Sequence, residues 1–113
     1  MPFINTMVTT EITHEQEVSL KAKLGKALSL IGKPEAYLML NFSENCRLWF
    51  AGSNDEDAAY VEVALLQSAP KSSYAKLTEA ICDILGEELS IPSNRIYVKF
   101  SETEYWGWDK MMF

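Results

Sequence analysis

Apolar and polar positions alternate in two rhythms along this chain, and the change of rhythm marks its elements. Pro2-Phe3-Ile4-Asn5-Thr6-Met7-Val8 opens as an apolar strand. Leu20, Leu24, Ala27, Leu28 and Ile31 then recur at helical spacing, which predicts a helix over 14–31. Thr13 and Gln16 form a capping-box pattern at its start. Gly32 suits a left-handed cap, and Pro34 prevents continuation. Tyr37–Phe42 reads as a strand, Arg47-Leu48-Trp49-Phe50 as a short apolar strand, and Gly52-Ser53-Asn54-Asp55 as a turn. Ala58–Leu66 is a third long apolar run. Tyr74, Leu77, Ile81, Ile84, Leu85 and Leu89 predict a second helix that begins near Ser72 or Ser73 and is closed by Pro92. The tail, Tyr105-Trp106-Gly107-Trp108 and Met111-Met112-Phe113, is unusually apolar for a chain end.

The pattern repeats. Pro34–Phe42 aligns with Pro92–Phe100 at an offset of 58, with both prolines and both terminal phenylalanines matched. The same offset carries Pro2–Val8 onto Tyr60–Leu66 and 14–31 onto 72–89. Pseudo-repeats of about 2–42 and 60–100 therefore each read strand, helix, strand, within one domain spanning 1–113. Parallel strands inside each unit need the crossover helix. The predicted fold is α/β (α+β): duplicated β-α-β units giving a four-stranded mixed sheet with two helices on one face. Strands apolar on both faces, apart from Asn41 and Glu62, would leave the other sheet face bare. A bare apolar face and an aromatic tail predict a closed, symmetric oligomer.

Composition narrows the function. A length of 113 residues suffices for a real core, and the net charge of −6 without a basic cluster argues against nucleic acid and anionic membranes. No signal peptide or membrane span is expected, so the predicted location is cytoplasmic, with unconventional secretion left open. Cys46 and Cys82 lie far apart and read as reduced thiols, without redox-pair spacing. His14 has no metal-ligand companions, and Asp55-Glu56-Asp57 reads as a solvated turn.

One chemical candidate stands out. Removal of Met1 would leave Pro2 as an N-terminal secondary amine. An α-amino group has a reference pKa of about 7.7–8.0, and burial or a neighbouring cation lowers it into the range of a general base at neutral pH. An amine on a strand end is held still, as a base must be. Lys33 would lower that pKa further and could bind a carboxylate. Its position alone reads first as a cation at a helix C-terminus.

Pro2, Ile31-Gly32-Lys33-Pro34, Phe50-Ala51-Gly52-Ser53, Asn94-Arg95-Ile96-Tyr97, and Gly107-Trp108 with Phe113 occur in an order that resembles the macrophage migration inhibitory factor family. This is a branch of the tautomerase superfamily that includes D-dopachrome tautomerase. The resemblance implies a homotrimer with active sites at subunit interfaces, and keto–enol tautomerase activity on phenylpyruvate-like, or dopachrome, substrates without a cofactor. It implies Pro2 as the catalytic base and Lys33 as the carboxylate-binding lysine. Leu65 would line the site, Tyr97 would enter it from a neighbouring subunit, and Trp106 and Phe113 would form apolar walls. Lys99 shares a strand face with Tyr97 and stands where animal members have asparagine, so it would add a second cation. Asp57 and Tyr60 replace the cysteines of the animal C-x-x-C, and Leu66-Gln67-Ser68-Ala69-Pro70 alters the pocket rim. The alternative function is a cytokine-like interaction protein with weak or vestigial activity.

Overall fold

The computed structural model describes residues 1–113. Four strands form one sheet: β1 (Pro2–Val8), β2 (Met39–Ser43), β3 (Ala59–Leu66) and β4 (Ile96–Thr103). Two helices, α1 (His14–Ala27) and α2 (Lys71–Leu89), connect them. The order is β2-β1-β3-β4. Each crossover pair, β1–β2 and β3–β4, is parallel, and the two units meet through antiparallel β1–β3. A two-stranded hairpin, β5 (Gly107–Trp108) with β6 (Met111–Met112), ends the chain. The duplicated β-α-β architecture is as predicted. No helix is long and apolar enough to cross a membrane.

The core lies between the helices and one sheet face. Ile4, Val8, Val61, Val63 and Leu65 from the central strands meet Leu20, Leu24 and Leu28 from the first helical segment and Leu77, Ile81 and Leu85 from α2. The Thr13–Gln16 capping box forms in full. Gly32 sits at φ 69°, the left-handed region that a side chain disfavours. The second helix begins at Lys71, beside the expected Ser72 and Ser73, with Pro70 as its N-cap and no side-chain cap.

The open face is crossed by a polar row, Asn41, Asn5, Glu62 and Lys99, aligned by strand register. Asn41 donates to Asn5 at 2.8 Å, and Lys99 pairs with Glu62 at 3.5 Å. This face is therefore less uniformly apolar than the strand sequences suggest. Met39 and Tyr97 stand exposed on either side of the row.

Two expectations change. Arg47–Phe50 is not a strand, because nothing in the chain pairs with it beyond a single bridge between Phe50 and Ser53. Tyr37 and Leu38 precede β2: residues Glu35–Tyr37 form a 3-10 turn after Pro34, as Ser93–Arg95 does after Pro92.

The repeat register also changes. Pro2, Ile4, Thr6 and Val8 face the core, and so do Ala59, Val61, Val63 and Leu65. The first strands thus correspond at 57 rather than 58, since an even offset would place Pro2 on Tyr60, on the wrong face. The helices agree: Leu20, Leu24, Ala27 and Leu28 answer to Leu77, Ile81, Ile84 and Leu85. From the left-handed caps Gly32 and Ser90 onward, the offset is 58. The first helical segment ends in a 3-10 turn, Leu28–Ile31, where α2 stays α-helical to Leu89. A 3-10 turn closes in about 3.0 residues against about 3.6, so the first half needs one residue fewer.

At 58 the correspondence continues past the strands. Phe50-Ala51-Gly52-Ser53 answers to Trp108-Asp109-Lys110-Met111. In both turns the two central residues have positive φ: 52° and 81° in the first, 50° and 66° in the second. That is the two-residue hairpin geometry whose twist matches paired strands.

Candidate active site

β1 begins at Pro2, and Pro2 pairs in register with Leu65 of β3. The chain start is thereby tied into the middle of the sheet. Beside it lies a cleft of about 700 Å³, lined mainly by apolar residues: Met1, Pro2, Phe3, Tyr37, Met39, Trp106 and Trp108 among them. Tyr37 comes from the 3-10 turn before β2, and the tryptophans come from the tail. Trp108 packs edge-on against Tyr37, with ring centroids 5.4 Å apart, and Phe113 lies 6.1 Å from Trp108. The backbone N–H of Phe113 donates to the Trp106 carbonyl at 2.8 Å, closing the tail hairpin behind this aromatic group. The cleft is therefore built by one turn and one hairpin set against a fixed strand end.

The electrostatics disfavour the charged form of the terminal amine. The terminal ammonium, carried here by Met1, has its pKa lowered first by burial and then by the charge of Lys33. Lys33 follows the left-handed Gly32, and its backbone N–H returns to the Leu28 carbonyl at 3.2 Å. That closure fixes where its side chain starts. Its Nζ donates to the Leu66 carbonyl at 3.4 Å. The ammonium is thus tethered near the start of the chain by an uncharged acceptor. No carboxylate neutralises it, so its charge remains available to an anion.

The anticipated residues divide into two groups. Pro2 and Trp106 line the cleft, Lys33 acts on the terminal amine, and Phe113 packs behind Trp108. Leu65 is adjacent through the β1–β3 register, but its side chain is fully buried in the core. Tyr97 and Lys99 lie elsewhere in this chain, on the open face of β4. Tyr97 aligns with Tyr60, which aligns with Met7, toward the other end of β1 from Pro2. One chain does not bring them to its own cleft. Tyr37 and Trp108 were not anticipated as site residues. At the offset of 58 Tyr37 answers to Arg95 and Trp108 to Phe50, a register that does not by itself place either in a cleft.

The fold and cleft define a duplicated β-α-β protein of the tautomerase kind. Comparison with known proteins makes this specific. The profile of the macrophage migration inhibitory factor (MIF) family matches residues 1–111. The crystal structure of Leishmania major MIF2 is 32% identical, with a TM-score of 0.94, over 100% of this chain and 97% of that one. The macrophage migration inhibitory factor homologue from Prochlorococcus marinus is 27% identical at a TM-score of 0.89, over 98% of each chain. A macrophage migration inhibitory factor homolog of Brugia malayi is 31% identical over 85 residues, covering 75% of this chain and 73% of the relative. The chain belongs to the macrophage migration inhibitory factor family, within the tautomerase superfamily.

Proposed function

We propose that this protein is a cofactor-free keto–enol tautomerase acting on phenylpyruvate-like α-keto acids, with Pro2 as the general base. One observation carries the reading: the start of the chain is fixed on a strand end in an aromatic cleft, and burial and Lys33 both hold its amine below the ordinary value. Family membership supports an isomerase of this type.

In this reading Met1 is removed and the Pro2 nitrogen carries the lone pair. The nitrogen takes a proton from the carbon beside the keto group. The electron pair of that C–H bond forms a carbon–carbon double bond, and the carbonyl electrons move onto oxygen. The proton then passes to that oxygen, giving the enol; the reverse sequence gives the ketone. Lys33 binds the carboxylate, which a charge-assisted contact suits. Tyr37, Trp106 and Trp108 cover the aromatic ring and exclude water. The protein works as a homotrimer, with Tyr97 and Lys99 of one subunit reaching the cleft of the next. The exposure of Tyr97, the open sheet face and the position of Tyr97 toward the other end of β1 from its own Pro2 support that arrangement.

The test is an ultraviolet assay of phenylpyruvate tautomerisation by the chain beginning at Pro2 and by Pro2→Gly. The variant is expected to lose at least about a hundredfold in kcat/KM, the scale of a general base. Full activity in the variant contradicts the reading.

A further inference from the structure

Tyr97 is 63% exposed, yet its ring is not free. Phe50 meets it edge-on, with centroids 5.0 Å apart and planes at 64°. Phe50 is itself held from two sides. Its backbone exchanges hydrogen bonds with Ser53 at 2.9 and 3.0 Å across the turn at Ala51-Gly52. Arg95 lies over its ring at 5.4 Å and donates to its carbonyl at 3.4 Å. The same guanidinium donates to the carbonyls of Ser53, Glu56 and Asp57 at 3.0 to 3.1 Å. Arg95 is buried and has no carboxylate partner, so all the hydrogen bonding of its guanidinium goes to this loop. Ala51 takes a left-handed conformation that costs a residue with a Cβ. A buried guanidinium and a strained turn thus converge on one aromatic ring, and that ring touches an exposed tyrosine.

We infer that Phe50 is a positioning residue for Tyr97, fixing the ring orientation with which Tyr97 meets the substrate. The inference rests on the proposal that Tyr97 enters a neighbouring cleft. The other hairpin offers a parallel, not a register match: Trp108, the residue matching Phe50, packs against Tyr37 in the Pro2 cleft at 5.4 Å, while the position matching Tyr97 is Met39. Each half therefore supplies a hairpin aromatic that steadies a tyrosine, one from within the chain and one for its neighbour. An unbraced strand tyrosine exchanges rotamers and gives up ordering entropy on binding, so bracing acts on affinity rather than on the chemical step.

The experiment uses the full chain beginning at Pro2 and compares Phe50→Leu, Tyr97→Leu, the double variant and the conservative Phe50→Tyr. KM and kcat are read with phenylpyruvate. Kd is read by NMR titration with phenylglyoxylate, an α-keto acid with no proton to abstract. Phe50→Leu is expected to raise KM and Kd about three- to tenfold, the scale of one aromatic pair, with kcat within about twofold. The double variant should be no worse than Tyr97→Leu, since the two side chains act as a unit. Phe50→Tyr should keep wild-type values. A second variant, Phe50→Met, keeps an adaptable apolar filling and removes only the ring, so it should show the same rise even if Phe50→Leu unfolds the loop. Unchanged KM and Kd in Phe50→Met, with both raised in Tyr97→Leu, overturn the inference. No change in Tyr97→Leu while Pro2→Gly abolishes turnover places Tyr97 outside the site; the inference then falls and the base assignment stands. Absence of phenylpyruvate turnover by the wild type overturns the tautomerase reading, and the Phe50–Tyr97 coupling is still decided by Kd.

Discussion

At one end of the sheet Ile91 and Arg95, which follow the second helix, meet Phe50; at the other, Lys33, Tyr37 and Trp108 hold the matching positions. The first set closes its end. Ile91 is buried in the core, and Arg95 is buried against four loop carbonyls and the Phe50 ring. The second set leaves a cleft, with Lys33 tethered to one carbonyl and Tyr37 more than half exposed. The backbone is the same in both: a left-handed cap, a proline, a 3-10 turn, a strand and a two-residue hairpin. A scaffold duplicated to this depth separates its two tasks by side chain alone. Stability is concentrated where a guanidinium satisfies carbonyls. The proposed function puts the chemistry where the same position carries Tyr37 and where the ammonium of Lys33 has no carboxylate partner.

The comparison breaks most visibly at Arg95. Arg95→Ala withdraws the guanidinium from four loop carbonyls, leaves those of Glu56 and Asp57 without a donor, and should destabilise the fold by about 3 kcal/mol or more, measured by urea unfolding. Its counterpart Tyr37→Ala should cost less than about 1 kcal/mol, because the side chain is largely exposed, while raising KM for an aromatic acid. Equal stability losses at the two positions would contradict the division of tasks.

Lys33 sharpens the same contrast. Lys33→Ala removes a charge-assisted contact worth about 1.5–3 kcal/mol, so KM should rise about tenfold or more. It also removes a cation beside the terminal amine. Protonation of the amine becomes easier, its pKa rises, and the neutral base is reached only at higher pH. The acid limb of kcat/KM against pH should therefore move upward. Lys99 is expected to substitute only weakly, because Glu62 already pairs with it. An unmoved acid limb in Lys33→Ala would show that its charge does not reach the base.

The smallest expected effect lies in the core. Thr6 is fully buried and its Oγ1 has no hydrogen-bond partner. Its counterpart in the second half is Val63, equally buried. Thr6→Val copies the twin and removes an unsatisfied hydroxyl from apolar surroundings. It should stabilise the protein by about 1 kcal/mol in urea unfolding. A loss of stability would mean that the hydroxyl has a partner in solution.

Much of this was legible in the sequence. Helical spacing and caps located both helices, because Thr13, Gln16, Gly32 and Pro34 act through local geometry. Pro2 stood out as a candidate because an N-terminal secondary amine carries chemistry, and Lys33 because the family resemblance singled it out; the structure puts Pro2 in the cleft and Lys33 close enough to act on the chain start. What escaped depended on three-dimensional closure. The offset of 57 in the first strands follows from a 3-10 turn that residue spacing does not reveal. Arg47–Phe50 has strand composition, but no strand of its own chain lies beside it. Tyr37 and Trp108 join the cleft only because the tail hairpin folds back onto the turn before β2.

The central claim is that a free amine at Pro2 turns this end of the duplicated fold into a catalyst. Its most direct test is kcat/KM for phenylpyruvate measured on two purified forms: the chain beginning at Pro2, and the same chain with one residue kept ahead of it. The extra residue converts the Pro2 nitrogen into an amide with no basic lone pair and leaves the sheet register intact. The account predicts activity in the first form and a fall to background in the second, with the melting temperature unchanged. Equal activity in the two forms would contradict it.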